Sequence, residues 1–284
     1  MSLFPPLGLG EAIIFELRQG PREMNDLIKA LHARGQRVTK QGVYKAVRGL
    51  RGQEIVFLQA GEVSLSLRWL ERLENFVSLT QRSYVDSSVG AGHFLNLTDG
   101  ERILYTFKNP VSLDAFWNHV LYLLFEAMPE LDRWYAYASH CWFMLARGKE
   151  ERALYRFMNK RDVRVLYTVG HQTPLDHLVA SHFDGRMTQY HMLERPLFSE
   201  RRNHLGLVIN LLGDFVIQAE YDKKMTEAIE SFYKKHRAVD AENLRELEAI
   251  VSTPTRTKLM ITRNKSKARK LVRLFEKHFY FGDK

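Results

Sequence analysis

Thr39-Lys40-Gln41-Gly42-Val43-Tyr44-Lys45-Ala46-Val47-Arg48-Gly49-Leu50 is the stretch on which the reading of this chain turns. Threonine caps helix N-termini well, so a helix is expected to start at Lys40. Val43, Val47 and Leu50 stand at i, i+4 and i+7 and share one face. Gln41, Tyr44, Lys45 and Arg48 repeat at i, i+3, i+4 and i+7 on another face, with Lys40 beside them. The first stripe needs a core to cover it. The second combines cations, an amide and a phenol with no carboxylate, unlike an ordinary solvated face of mixed sign.

The flanking charge agrees with that stripe. Between Leu27 and Gln53 stand Lys29, Arg34, Arg37, Lys40, Lys45, Arg48 and Arg51, without one Asp or Glu. An acid-free basic surface suits a polyanion. Arg and Lys reach guanine O6 and N7, and Gln pairs with adenine N6 and N7. Thr39, Lys40, Gln41, Tyr44, Lys45 and Arg48 are therefore expected in a DNA major groove, with Arg34, Arg37 and Arg51 holding phosphates.

Working outward, Glu11–Arg18 and Glu23–Ala33 read as two further helices, ended by Gly20-Pro21 and by Gly35. Beyond Gly52, residues 55–59 and 62–66 read as a hairpin turning at Ala60-Gly61. This order of helix, helix, basic helix and hairpin resembles the winged helix-turn-helix of many regulators. The resemblance covers about sixty residues. It implies a wing whose tip, at Gly61, lies along the DNA backbone or minor groove. Glu62 weakens the wing as a phosphate contact.

Residues 67–84 read as one amphipathic helix, with Leu67, Leu70, Leu73 and Val77 on one face. It is either a stalk that pairs two subunits or a helix packed on its own domain. Residues 85–100 are rich in Gly, Ser, Asp and Asn and read as a linker. From 101 to 284, strand-like and helix-like stretches alternate, which implies an α/β domain. The expected architecture is an α+β winged helix domain at 1–66, a helix at 67–84, a linker at 85–100 and an α/β domain at 101–284. Within the last, Trp134–Leu145 reads as strand, Val163–Val169 as a buried strand, and 205–212 with 214–221 as a hairpin at Gly213.

The balance of 42 basic against 33 acidic residues gives a net charge of +9, which favours polyanionic partners. The single cysteine, Cys141, sits in an aromatic run and excludes a disulfide framework or a paired-cysteine zinc site within one chain. The first fifteen residues lack a basic n-region, and no apolar run approaches the ~20 residues that span a bilayer. A cytoplasmic protein without membrane association is expected. The aromatics of 116–143, from Phe116 to Phe143, read as a large core or a dimer interface, the alternative being a pocket that stacks a sugar or a base. The cations of 256–277 read as the solvated side of an amphipathic helix over 265–279, whose apolar face is Ala268, Leu271, Val272, Phe275 and Phe279.

Catalytic signatures are missing: there is no phosphate-cradling glycine loop, no HExxH and no GxSxG. His171, His177, His182, His191 and His204 crowd one region with Asp176 and Asp184, but His177 and His182 are five apart, off one helix face. A metal site would need convergence in space that spacing does not give, so ordinary surface and packing histidines are expected there, with no metal and no cofactor. The stretch Asn203-His204-Leu205-Gly206-Leu207-Val208-Ile209-Asn210, leading to Asp214-Phe215-Val216-Ile217, is similar to the strand-turn-strand of phospholipase D-like domains. In that family a histidine attacks phosphorus and a lysine two residues on neutralises the equatorial oxygens. His204 matches the histidine. Gly206 stands at the lysine and Leu211 at the following acid, so the resemblance implies a scaffold without the activity.

A winged helix joined to such a domain resembles the TrmB-like transcriptional regulators. That family implies a homodimer paired through the helix after the wing, and a C-terminal region that receives a small-molecule effector. The chain is therefore expected to be a double-stranded DNA-binding regulator and not an enzyme. A phosphodiesterase or nuclease using His204, and a winged-helix protein adaptor, are the alternatives.

Overall fold

A computed structural model describes residues 8–86, 90–183, 185–194, 196–198 and 206–280. The chain is a mixed α/β protein that divides into two compact units, 1–83 and 84–284. Among the described residues no helix is long and apolar enough to cross a membrane.

The first unit contains helices α1 (Leu9–Leu17), α2 (Met24–Ala33) and α3 (Lys40–Gly52). Strands β1 (Arg22–Glu23), β2 (Val56–Gln59) and β3 (Glu62–Leu65) form a sheet in the order β1-β3-β2. Local chemistry sets the boundaries. Gly35, at φ 78°, ends α2: its N–H donates to His32 O, and Gln36 N–H donates to Leu31 O. That pair of bonds is the Schellman closure, and it needs the left-handed residue that glycine supplies. Thr39 Oγ1 accepts from Gly42 N at 3.1 Å and starts α3. Ala60 and Gly61 both take positive φ, the two-residue turn whose twist matches a hairpin. The two-residue β1, which pairs Arg22 with Val63, is too short to carry a periodic signal.

Ile13, Leu27, Leu31, Val43, Val47, Val56 and Val63 form one closed core. Next, α4 (Leu67–Asp86) begins at Ser66, whose hydroxyl accepts from Trp69 N–H. Arg68 and Arg72 both approach Glu54, at 3.9 and 3.3 Å. Past that anchor the apolar face of α4 is bare: Phe76 is 66% and Val77 49% exposed.

The second unit is built on a seven-stranded sheet. Its strands are β4 (Arg102–Phe107), β5 (Arg133–Ala138), β6 (Arg164–Val169), β7 (Thr188–Met192), β8 (Leu207–Leu212), β9 (Phe215–Glu220) and β10 (Thr257–Arg263). The spatial order is β4-β10-β9-β8-β5-β6-β7. The pairs β5/β6 and β6/β7 are parallel and the rest antiparallel. The helices are α5 (Pro110–Ala127), α6 (Trp142–Ala146), α7 (Gly148–Lys160), α8 (Pro174–Ala180), α9 (Lys223–Lys235), α10 (Ala241–Ser252) and α11 (Lys265–Glu276).

Both faces of the sheet are covered. Trp134, Ala136, Val165 and Val208 pack toward the core shared with α5, α7, α9 and α10. Tyr135, Tyr137, Leu166, Ile209 and Leu211 pack toward Ala268 and Phe275 of α11. Alternation along each strand assigns these faces. Burial on both sides explains why β8 is apolar at five of six positions and buried at all six.

Two readings of the sequence change, and one strand of this unit goes unread. The strand expected over Trp134–Leu145 ends at Ala138, and Trp142–Ala146 is helical. A fully buried helix and a fully buried strand are both apolar throughout, so periodicity does not separate them. The expected linker 85–100 is in part core: residues 90–96 form a 3-10 helix, and Phe94 and Leu97 are buried in the second unit. Edge strand β7 has mixed polarity and gives no apolar run to read. The expected hairpin at Gly213 forms, with that glycine at φ 56°.

Leu27→Ala should cost the first unit roughly 2–5 kcal/mol by opening a cavity in its core. Hydrogen exchange should quicken in α2 and α3 and stay at wild-type rates in β5 and β8. Unchanged rates in α3 would mean that Leu27 does not tie α2 to it.

Candidate functional site

Helix α3 separates as its sequence requires. Val43 and Val47 are at most 1% exposed and Leu50 is buried beside them. Lys40, Gln41, Tyr44, Lys45 and Arg48 are exposed, as are Thr39, Arg37, Arg51 and Gly61. The two stripes are fixed relative to each other by the helical period, so burying one presents the other. Arg34 differs from the expectation for it: its guanidinium pairs with Glu16 and lies 4.6 Å over the Phe15 ring. Glu16, buried in α1, also draws Arg22 to 3.7 Å. Arg34 thus ties α2 to α1, and a phosphate would have to compete with a carboxylate for it.

The stretch likened to phospholipase D-like domains can be followed in part. His204 and Asp184 lie outside the described residues. Gly206 sits where a Cβ would collide with the Thr226 hydroxyl and stand 3.1 Å from Tyr221 Cβ. Leu211 is 1% exposed, in the core against α11. The first position has no room for a lysine, and the second points away from solvent.

A different polar cluster lies at the carboxyl ends of the parallel strands. His140 stands two residues past β5, His171 two past β6, Asp176 in the first turn of α8 and Glu230 on α9. His140 Nδ1 contacts both oxygens of Asp176, at 3.0 and 3.1 Å. Asp176 also accepts from Thr173 N–H at 3.0 Å and from the Thr173 hydroxyl at 2.8 Å. His140 Nε2 and His171 Nε2 stand 3.4 and 3.5 Å from the same oxygen of Glu230. The rings of His140 and His171 stack at 4.5 Å, and Tyr233 stacks on His140 at 3.9 Å. Burial opposes a charge on His140, but its contacts with Asp176 and Glu230 outweigh it and raise the imidazole above its ordinary value. Burial would raise Glu230, yet the two imidazoles hold it well below the usual carboxylate range.

This cluster escaped the sequence reading. Of the histidine-rich region, His171 and Asp176 enter it among the described residues. His177 and His182 are exposed, and His191 stacks on His278 at 4.6 Å. His140 stands 31 residues before His171 and Glu230 59 after it, with no spacing to mark them. The available signal is general: in open α/β sheets, sites collect beyond the carboxyl ends of strands.

Elsewhere in the second unit is a cavity of ≈ 360 Å³, lined by Glu151, Arg152, Tyr155, Arg156, His182 and Phe183 among others. That is the lower end of the range for small-ligand pockets. Among its lining residues the buried Glu151 carboxyl is pushed up, first by burial and then by the nearby charge of Asp114. Asp114 is itself raised by burial, against the pull of Arg147 at 2.9 Å.

No family model matches this chain, and no curated protein matches it.

A carboxyl whose value rises on folding favours the folded state while protonated. The contribution of Glu151 is full below the ordinary carboxylate range and is lost as pH climbs through its raised value. Thermal stability of the second unit should therefore fall as pH rises from about 5 to about 8. Glu151→Gln should flatten that slope. An equal slope in the variant would assign the pH dependence to other groups.

Proposed function

We propose that the chain is a sequence-specific double-stranded DNA-binding transcriptional regulator of the cell interior, with a winged helix-turn-helix in its first unit. The observation that carries this reading is α3. Its buried stripe is apolar, and its exposed stripe of Gln41, Tyr44, Lys45 and Arg48 bears no acid. Thr39, Lys40, Arg37 and Arg51 extend the same basic, exposed stretch. A recognition helix lies in the major groove and reads bases from such a face. The hairpin turn at Ala60-Gly61 is the wing. Arg34 has the weakest case as a phosphate contact, because it is already paired with Glu16.

Two further features support a TrmB-like arrangement. The exposed face of α4 continues into an apolar groove of ≈ 400 Å³ lined by Ile14, Phe15, Trp69, Leu70 and Leu73. A second copy of the chain, contributing its own α4, would cover that surface, since an unpaired apolar stripe of this length is costly in water. We read the second unit as a phospholipase D-like scaffold, and position 206, where that family has its lysine, has no space for one. Its cavity at Arg152 and Arg156 is of a size to receive a small effector, and the two cations favour an anionic one.

Fluorescence anisotropy with random duplex DNA tests the main claim. Binding should weaken by orders of magnitude from low to moderate salt, as counterion release requires. The Lys45→Glu, Arg48→Glu variant should lose it. Salt-insensitive binding, or equal binding by the variant, would return weight to a protein-docking role for the same unit.

Sedimentation tests the dimer. The wild type should sediment as twice the chain mass, and Leu73→Glu with Val77→Glu should sediment as a monomer. A monomeric wild type would leave α4 with another partner.

A further inference from the structure

We propose that His140, His171 and Glu230 bind one divalent transition-metal ion of the zinc, cobalt, nickel or ferrous type, with Asp176 positioning His140. The site does not depend on the DNA-binding reading.

Spacing is the first reason. Ligands about 2.1 Å from a four-coordinate ion stand roughly 3.4 Å apart at the tetrahedral angle. The two imidazole nitrogens stand 3.4 and 3.5 Å from one Glu230 oxygen. All three candidate ligand atoms lie within 4.8 Å of one another. Those distances exceed a good N–H···O bond, whose usual range is about 2.7–3.2 Å. His171 Nε2 is buried and, among the described residues, makes no closer polar contact than the 3.5 Å to Glu230. An imidazole nitrogen without a short hydrogen bond, facing a carboxylate and a second imidazole nitrogen, is a donor set that a shared cation would satisfy.

The second reason is the support around the ligands. A histidine that ligates through Nε2 commonly gives its Nδ1–H to a carboxylate, which fixes tautomer and ring. His140 meets Asp176 through Nδ1 in that way, and Asp176 is itself held by Thr173. Charge also closes: Glu230 and Asp176 together balance a doubly charged ion in a buried place, where an unbalanced charge is costly.

The donor set selects the ion. Two imidazoles and one carboxylate suit zinc, cobalt, nickel or iron, whereas calcium and magnesium prefer all-oxygen shells. Three protein ligands leave a coordination position open. A cavity of ≈ 20 Å³ adjoins His140 and Glu230, lined also by Ser139, Gly206 and Thr226. It has space for about one water-sized ligand. Gly206 leaves that space clear, since a side chain there would strike Thr226. The stacked planes of His140 and His171, 13° apart, do not both aim at one point. Shared binding therefore requires a turn of the His171 ring, the more exposed of the two and on the loop after β6, while Asp176 holds His140.

The test titrates ZnCl2 into the full chain, stripped by chelator, with calorimetry for stoichiometry and circular dichroism for fold. One equivalent should bind. His171→Ala and Glu230→Gln, both at partly exposed positions, should each weaken binding at least tenfold while keeping the wild-type spectrum. Asp176→Asn should weaken it about 10–100-fold through its effect on His140. With CoCl2, visible absorption bands of a nitrogen- and oxygen-ligated ion should appear in the wild type and shift in Glu230→Gln. A folded wild type that takes up no zinc would overturn the proposal and leave His140 as an imidazolium held between two carboxylates. Zinc uptake unchanged in His171→Ala and Glu230→Gln would overturn it too, and would point to a pair such as His191 and His278.

Discussion

The placement of β5 governs the second unit. It pairs in parallel with β6 on one side and antiparallel with β8 on the other. The carboxyl ends of β5 and β6 therefore meet the amino end of β8 at one edge of the sheet. His140, His171 and Gly206 follow or precede those ends by one or two residues, so strand pairing alone brings them together. α9 then crosses the core face and delivers Glu230 and Tyr233. A hydrogen-bonded ladder thus supplies the register, and a helix seated on it supplies the last ligand.

The first unit rests on a comparable constraint. α3 buries Val43, Val47 and Leu50 against α1 and α2, and the helical period then dictates where Gln41, Tyr44, Lys45 and Arg48 point. No contact made by the basic residues is needed to aim them. Their chemistry is free to serve a partner because the apolar stripe holds the helix. Arg34 illustrates the reverse case, a cation drawn into holding α2 to α1 by a buried carboxylate.

Legibility followed the range of the interactions involved. Thr39 as cap, Gly35 as terminator and Ala60-Gly61 as turn act within a few residues, and each was readable from the chain. So were the two stripes of α3 and the apolar face of α4. The strand-or-helix choice at 139–146 was not readable, because Trp142 and Phe143 are buried in either conformation. Nor was the role of 90–97, where Phe94 joins a core assembled from residues far along the chain.

The sequence by itself determined the local elements of the first unit, the acid-free helix face and the alternation of strands and helices in the second. These depend on backbone dihedrals, caps and periodicity, which neighbours in the chain control. Only the tertiary structure decided that Arg34 belongs to Glu16, that position 206 admits no side chain, and that His140, His171, Asp176 and Glu230 converge. Those outcomes depend on which strands pair and which helix lies over them. Pairing across 59 residues leaves no spacing in the sequence, because loop length sets neither the register nor the direction from which a side chain arrives.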